Sequence, residues 1–329
     1  MRPNLECLDI SQPVADLRVE LGIPDQFEHQ GVIYPVLHPK ILVLPDHHEL
    51  SQMALENTIM YLTEYPEDAI TFPTGNTWKE HYALMEKQSG LFKNLLKGRK
   101  IATVDEYYPV YSGHPNYPIS YKVYTDQRLG IPLGISPEQW IRPDGAAADP
   151  FEEADRFERE LQSVPFSLTN LGIGPDPKIA DGSMIPPKYS DKQIENLIRS
   201  GHAIEGSSHI GFVPKGTPPD SGAIYVRLDR GTIFENSRGV PAPDQMPDGA
   251  ITQAHGDFSR SKIRVMAASG ELKPRNVEKV LLESPGMDNP ASLVTLGESM
   301  VLLDQAAAAR VLDRIANRKV TLFHIPLAV

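Results

Sequence analysis

From Lys40 onward, short apolar runs alternate with stretches of helical periodicity. Ile41-Leu42-Val43-Leu44 reads as a strand, and Asp46-His47-His48-Glu49 follows as a D-x-x-E capping box opening a helix through about Leu62. Ala69-Ile70-Thr71-Phe72 predicts the next strand, and the helix after it carries Trp78, Tyr82 and Met85 on one side. A strand over 100–104 leads into Asp105-Glu106-Tyr107-Tyr108. Helices are expected over 119–129 and 151–161, the second with Phe151, Ala154, Phe157 and Leu161 spaced for one face. The run from Phe166 to Leu171 predicts a buried strand that delivers Gly172-Ile173-Gly174-Pro175-Asp176 to its C-terminal edge. Ile194, Leu197 and Ile198 mark a short amphipathic helix, and strands are expected at 263–268, 300–303 and 320–325. Helices carry Val277 and Val280, and run from Gln305 to about Ala316. Such alternation predicts an α/β chain built on a doubly wound, largely parallel sheet with helices on both faces, as a single domain over 40–329. Residues 1–39 show little periodicity and are expected to form an N-terminal extension lying over that domain.

Composition narrows the partners more than the fold. The 329 residues are 40% hydrophobic, enough for a large core, and the net charge of −11 argues against nucleic acid and anionic membranes. A lone cysteine, Cys7, excludes an intramolecular disulfide framework and fits a reducing compartment. The start of the chain has no apolar core of signal-peptide length, and no span approaches transmembrane length. A cytoplasmic protein acting on a small molecule is expected, with homo-oligomer formation left open.

Three stretches carry candidate chemistry. Pro73-Thr74-Gly75-Asn76-Thr77 sits between a strand and a helix start, where backbone N–H groups, a hydroxyl and a helix dipole favour an anion; a simple N-cap explains Thr77 equally well. Asp105 and Glu106 are adjacent on an extended segment, so at most one faces a given cleft; a solvated turn with a capping Asp is the bland alternative. The Gly-x-Gly-x-Asp loop ends at Asp176, and a second glycine-bearing piece, Ser207-Ser208-His209-Ile210-Gly211-Phe212, follows after a stretch rich at first in Pro, Lys and Ser. His47 and His48 diverge on a helix, so solvent exposure is preferred to metal binding.

Taken in order, these pieces resemble the glucosamine-6-phosphate deaminase/isomerase family, which is related to the 6-phosphogluconolactonases. The resemblance runs from about Leu42 to Arg310 and includes Pro73–Thr77, Asp105-Glu106-Tyr107, Pro143-Asp144-Gly145-Ala146 and Leu171–Asp176. His209-Ile210-Gly211-Phe212, Asn236-Ser237-Arg238, Ser269-Gly270-Glu271-Leu272-Lys273 and Pro290-Ala291-Ser292-Leu293 complete it. It implies a Rossmann-like fold and a sugar phosphate held by Thr74, Gly75, Asn76, Thr77, Arg238 and Lys273. By themselves, Arg238 would read as a surface ion pair and Lys273 as a solvated lysine. The resemblance also implies that Asp105 moves a proton between C2 and C1 of the substrate, and that His209, helped by Asp176, opens the sugar ring. No metal or organic cofactor is implied.

The chain departs from the family pattern in two places. The resemblance places an insertion at about 177–208, so Asp176 and His209 are expected to converge across it. The family's glutamate after the histidine falls on Pro214, and Glu205 within the insertion is a candidate replacement. The effector-binding region of allosteric members finds no match after it, so allostery is not carried over. Three functions stay open on the sequence: a sugar-phosphate isomerase/deaminase, favoured by Asp-Glu-Tyr; a hydrolase of a phosphorylated sugar lactone; and a non-catalytic sugar-phosphate binder.

Overall fold

The computed structural model describes residues 6–181, 183–185, 189–204, 206, 208–229, 232–233, 236–237, 240–317 and 323–326. In chain order its strands are β1 (Glu6–Asp9), β2 (Gln26–His29), β3 (Val32–Pro35), β4 (Lys40–Leu44), β5 (Ala69–Phe72), β6 (Ile101–Thr103), β7 (Asp105–Tyr108) and β8 (Trp140–Ile141). There follow β9 (Phe166–Gly172), β10 (Lys178–Ile179), β11 (Ala203–Ile204), β12 (Ile224–Arg227), β13 (Gly249–Thr252), β14 (Ser261–Ala268), β15 (Ser299–Asp304) and β16 (Phe323–Pro326).

Side-chain alternation along these strands decides which layer covers which face. Leu42 and Leu44 of β4, Ala267 of β14 and Leu302 of β15 enter one apolar cluster, packed under the helices His47–Glu64 and Lys79–Lys87. Ile41, Val43, Met266, Val301 and Leu303 point the other way, into a cluster with the helices Ser11–Glu20, Pro274–Leu282 and Gln305–Asn317. Strands buried on both faces read as continuous apolar runs, which is why they stand out in the sequence. The central sheet has nine strands in the order β16-β1-β4-β15-β14-β9-β5-β6-β8. Every pairing from β4 to β8 is parallel, and β1 is antiparallel to both β4 and β16. This is the doubly wound, largely parallel α/β sheet the pattern predicts. Sequence-distant strands thereby place their C-terminal ends side by side at one edge, the position where open α/β sheets bind ligands.

Four local features depart from expectation or add to it. Residues 6–9 do not lie over the domain but form a strand inside the central sheet, and the helix Ser11–Glu20 packs against β4 and the helices Pro274–Leu282 and Gln305–Asn317. Phe151 is exposed although Ala154, Phe157 and Leu161 of the same helix are buried; from the first turn its ring meets Tyr225 edge-on at 5.2 Å. A second sheet, β12-β13-β7, is antiparallel and carries Asp105 and Glu106. Within 177–208, β10 and β11 pair antiparallel beside the helix Asp191–Arg199, around an apolar cluster of Ile185, Ile194 and Ala203.

No helix among the described residues is long and apolar enough to cross a membrane.

Candidate active site

A cavity of about 480 Å3 lies at the C-terminal edge, bordered by the segments that follow β5, β9 and β14, by Asp105 and by the piece around His209. The chain leaves β5 through Pro73 and Thr74, and Gly75 takes φ +109, a conformation that side-chain-bearing residues rarely adopt. A 3-10 turn over Asn76–Trp78 then runs into the helix Lys79–Lys87, and no side chain caps either start. Thr77 is therefore not an N-cap. Its carbonyl accepts a hydrogen bond from the His47 ring Nε2–H at 2.8 Å, and Trp78 donates its indole N–H to the Leu171 carbonyl at 3.2 Å. Thr74, Gly75, Asn76 and Thr77 all line the cavity, with the positive end of a helix behind them.

Across the cavity lining, Ser269 to Lys273 forms a second loop. Asp304, at the end of β15, fixes it: the carboxylate accepts from the Ser269 hydroxyl and, at 2.9 Å, from the Gly270 N–H. The loop carries Lys273, whose ammonium donates to the Ile173 carbonyl at 2.5 Å. Two loops built on different strands thus bring backbone donors and a lysine to one space. Arg238 and Glu205 lie outside the described residues, while Asn236 lines the cavity.

The adjacent carboxylates separate as strand alternation requires. Asp105 is buried and lines the cavity, and its Oδ1 has no hydrogen-bond partner among the described residues. Burial, with the neighbouring Glu106 charge adding to it, raises its pKa well above the ordinary carboxylate value. Glu106 points away from the cavity and accepts from the Ser120 hydroxyl at 2.7 Å and from the N–H groups of Tyr107, Tyr121 and Lys122 at 2.8, 2.9 and 2.7 Å. The solvated turn is excluded: Asp105 and Glu106 are strand residues, both buried.

Asp176 and His209 converge by backbone and part by side chain. The Gly174 N–H donates to the His209 carbonyl at 3.1 Å, so the two pieces of chain meet across the 177–208 segment. The Asp176 carboxylate, however, accepts from the N–H groups of Arg275 and Asn276 at 2.9 and 2.8 Å, at the start of the helix Pro274–Leu282. It holds the first turn of that helix, and Pro175 and Lys178 on either side of it line the cavity. His209 does line it, half-buried, and burial pushes its imidazole down to about 4, opposed by Asp229 and assisted by Lys273. The ring is therefore neutral at neutral pH. Gly211 follows at φ +57, where a Cβ would come within 2.7 Å of both Thr252 Oγ1 and Val104 Cγ1 and 3.4 Å of the Asp105 carboxylate. Its lack of a side chain lets this turn close over Asp105. Pro214 lines a second cavity of about 280 Å3, which shares His209 and Phe212 with the first.

No family model matches the chain. Over 283 residues the chain is 27% identical to the glucosamine-6-phosphate deaminase of Geobacillus sp. (strain WCH70), spanning 85% of this chain and 98% of that protein. The chain is thus similar over most of its length to the glucosamine-6-phosphate deaminases, the family its motifs resemble. Glucosamine-6-phosphate deaminase 1 of Bacillus subtilis (strain 168) is 27% identical over 276 residues, covering 82% of this chain and 98% of its own. A monomeric glucosamine-6-phosphate deaminase of known structure superposes with a TM-score of 0.67 at 26% identity, over 82% of this chain and 99% of that one. The 6-phosphogluconolactonase of Trypanosoma cruzi shares the fold, with a TM-score of 0.58 at 16% identity over 85% and 98% of the two chains.

Two cavity residues escape a reading of the sequence. Tyr121 hydrogen-bonds Thr74 and meets the Tyr107 hydroxyl at 3.1 Å, linking the loop after β5 to β7. Lys178 enters from β10. Neither sits in a motif; a lysine directly after Asp176-Pro177 was the one signal available for the second.

Proposed function

We propose that the protein converts glucosamine 6-phosphate and water to fructose 6-phosphate and ammonia. The observation that carries this reading is Asp105, a buried carboxylate with one oxygen unpartnered among the described residues, in the same cavity as a side-chain-free helix start and Lys273. The loop of Thr74 to Thr77 holds the phosphoryl group with backbone donors, and Lys273 adds a point charge. His209, neutral at rest, takes the proton of the anomeric hydroxyl and passes it to the ring oxygen, opening the sugar to its aldehyde. Asp105 then takes the C2 proton to form an enolamine and returns a proton to C1. The ammonium on C2 of the bound substrate favours the ionised carboxylate, and a raised pKa makes that carboxylate a stronger base toward carbon. Water adds to the resulting C2 imine, and ammonia leaves.

The reading is tested by incubating the protein with glucosamine 6-phosphate and measuring ammonia and fructose 6-phosphate together. Equal amounts of both are expected. Hydrolysis of a phosphorylated lactone with no ammonia would favour the lactonase alternative, in which His209 activates water and Asp105 has no task. Thermal stabilisation by sugar phosphates with no turnover would favour a binder. Replacing Lys273 by Ala should raise KM roughly 10- to 100-fold, the worth of a charge-assisted hydrogen bond, with a smaller effect on kcat; an unchanged KM would remove Lys273 from the phosphate site.

A further inference from the structure

The 177–208 segment leaves the sheet edge at Asp176 and returns just before His209, so it begins and ends at the cavity. Its own apolar cluster makes it a folded unit. It is tied down at two places along its path. Arg275 donates from Nη2 to the Tyr189 carbonyl at 2.9 Å, joining it to the helix that Asp176 caps. On its return, Gly206 lies flat against the outgoing chain: a Cβ there would come within 2.3 Å of Pro177 N and 2.5 Å of Asp176 C. Only glycine allows that crossing.

Among the described residues of the segment, Lys178 alone lines the main cavity. It is 5% exposed, a rare degree of burial for a lysine. Its position is fixed by pairing with Ile204 across β10 and β11, a bridge to Met184, and the flanking bonds Ile179 N–H to Ser183 O at 2.9 Å and Ala180 N–H to His202 O at 3.0 Å. Gly174 and Pro175 line the cavity beside it, and Lys273 reaches the adjacent carbonyl of Ile173. Two lysines therefore border the stretch 173–175 in a chain whose net charge is −11.

We propose that Lys178 binds the phosphoryl group of the substrate together with Lys273, so that the 177–208 segment is a working part of the site. This rests on the reading of the cavity as a sugar-phosphate site. A phosphomonoester is a dianion, and two ammonium groups beside one set of backbone donors match its charge. Placing the second lysine on a strapped segment makes phosphate affinity depend on how that segment is seated.

The test uses the full-length protein, with inorganic phosphate as the probe in a thermal-shift titration and glucosamine 6-phosphate as the substrate in steady-state kinetics. Lys178→Met, which keeps the apolar stem, should raise both the phosphate midpoint and KM roughly 10- to 100-fold and leave kcat within about threefold. Lys178→Arg should recover part of the affinity. Gly206→Ala keeps the lysine but pushes the segment off Asp176–Pro177, and should also weaken phosphate binding, which covers the case in which Lys178→Met fails to fold. A phosphate midpoint unchanged in Lys178→Met or in Gly206→Ala would overturn the proposal, as would a fall in kcat with KM unchanged. The titration needs no turnover: weakened phosphate binding in Lys178→Met, with wild-type protein inactive on glucosamine 6-phosphate, would sustain the role of Lys178 and reject the deaminase reading.

Discussion

Asp105→Asn is expected to lower ammonia release from glucosamine 6-phosphate by about 10²- to 10⁴-fold, the usual worth of a positioned general base. Phosphate binding should survive, because Thr74 to Thr77 and Lys273 belong to other segments of the cavity wall. The same variant should be more stable than wild type at neutral pH. Burial holds the Asp105 carboxyl well above the ordinary carboxylate pKa, so the folded state binds this proton more tightly than the unfolded chain does. Its contribution to stability is therefore fully present below the ordinary carboxylate pKa and is lost as pH rises through the raised folded-state pKa. An amide has no such loss. Urea unfolding at pH 7 and again near pH 4 checks the sign: the advantage of Asp105→Asn should be present at the first and shrink at the second. A variant less stable than wild type at pH 7 would show that Asp105 serves the fold.

Glu106→Ala should do the opposite, costing about 1–3 kcal/mol of stability, the penalty for leaving a buried hydrogen-bond donor without its partner. Four donors converge on this carboxylate, three of them backbone N–H groups, and two of those open the helix Tyr121–Thr125. Burial raises the pKa of Glu106 while these hydrogen bonds pull it down, so the network offsets much of the cost of keeping the group inside. Removing the side chain strands the donors at a site that is 2% exposed. Because Tyr121 lines the cavity, KM should rise as well. Denaturant midpoints for Glu106→Ala and Glu106→Gln measure the effect, with the isosteric Gln losing less. Equal stability of wild type and Glu106→Ala would contradict the assignment. One dipeptide thus separates chemistry from support, on the two faces of one strand.

What could be read from the sequence follows burial. β4, β9, β14 and β15 are covered on both faces, so their apolar runs announce them. β1, with Glu6-Cys7-Leu8-Asp9, has no such run, since it pairs near the sheet edge with strands it meets only through tertiary structure. β13, Gly249-Ala250-Ile251-Thr252, escaped for a different reason: Gly249 must stay small, as a Cβ there would lie 2.7 Å from the Tyr225 ring. At the site, Asp105 was legible because alternation forces neighbouring carboxylates apart. The bonds of Asp176 to the start of the helix Pro274–Leu282 were not legible, because that helix lies a hundred residues on in the chain. Lys178 was hidden by the same logic, since its burial depends on β11 and on the crossing at Gly206.

The central claim is that one carboxylate, Asp105, moves the proton between C2 and C1. It is tested most directly by running wild type and Asp105→Asn on glucosamine 6-phosphate in D2O and following C1 of the fructose 6-phosphate by proton NMR, with ammonia measured alongside. Wild type should release ammonia and fill a single one of the two C1 positions stereospecifically with transferred or solvent hydrogen, while Asp105→Asn, still binding phosphate, should give neither product nor label. Ammonia release and C1 labelling by Asp105→Asn at the wild-type rate would contradict the account.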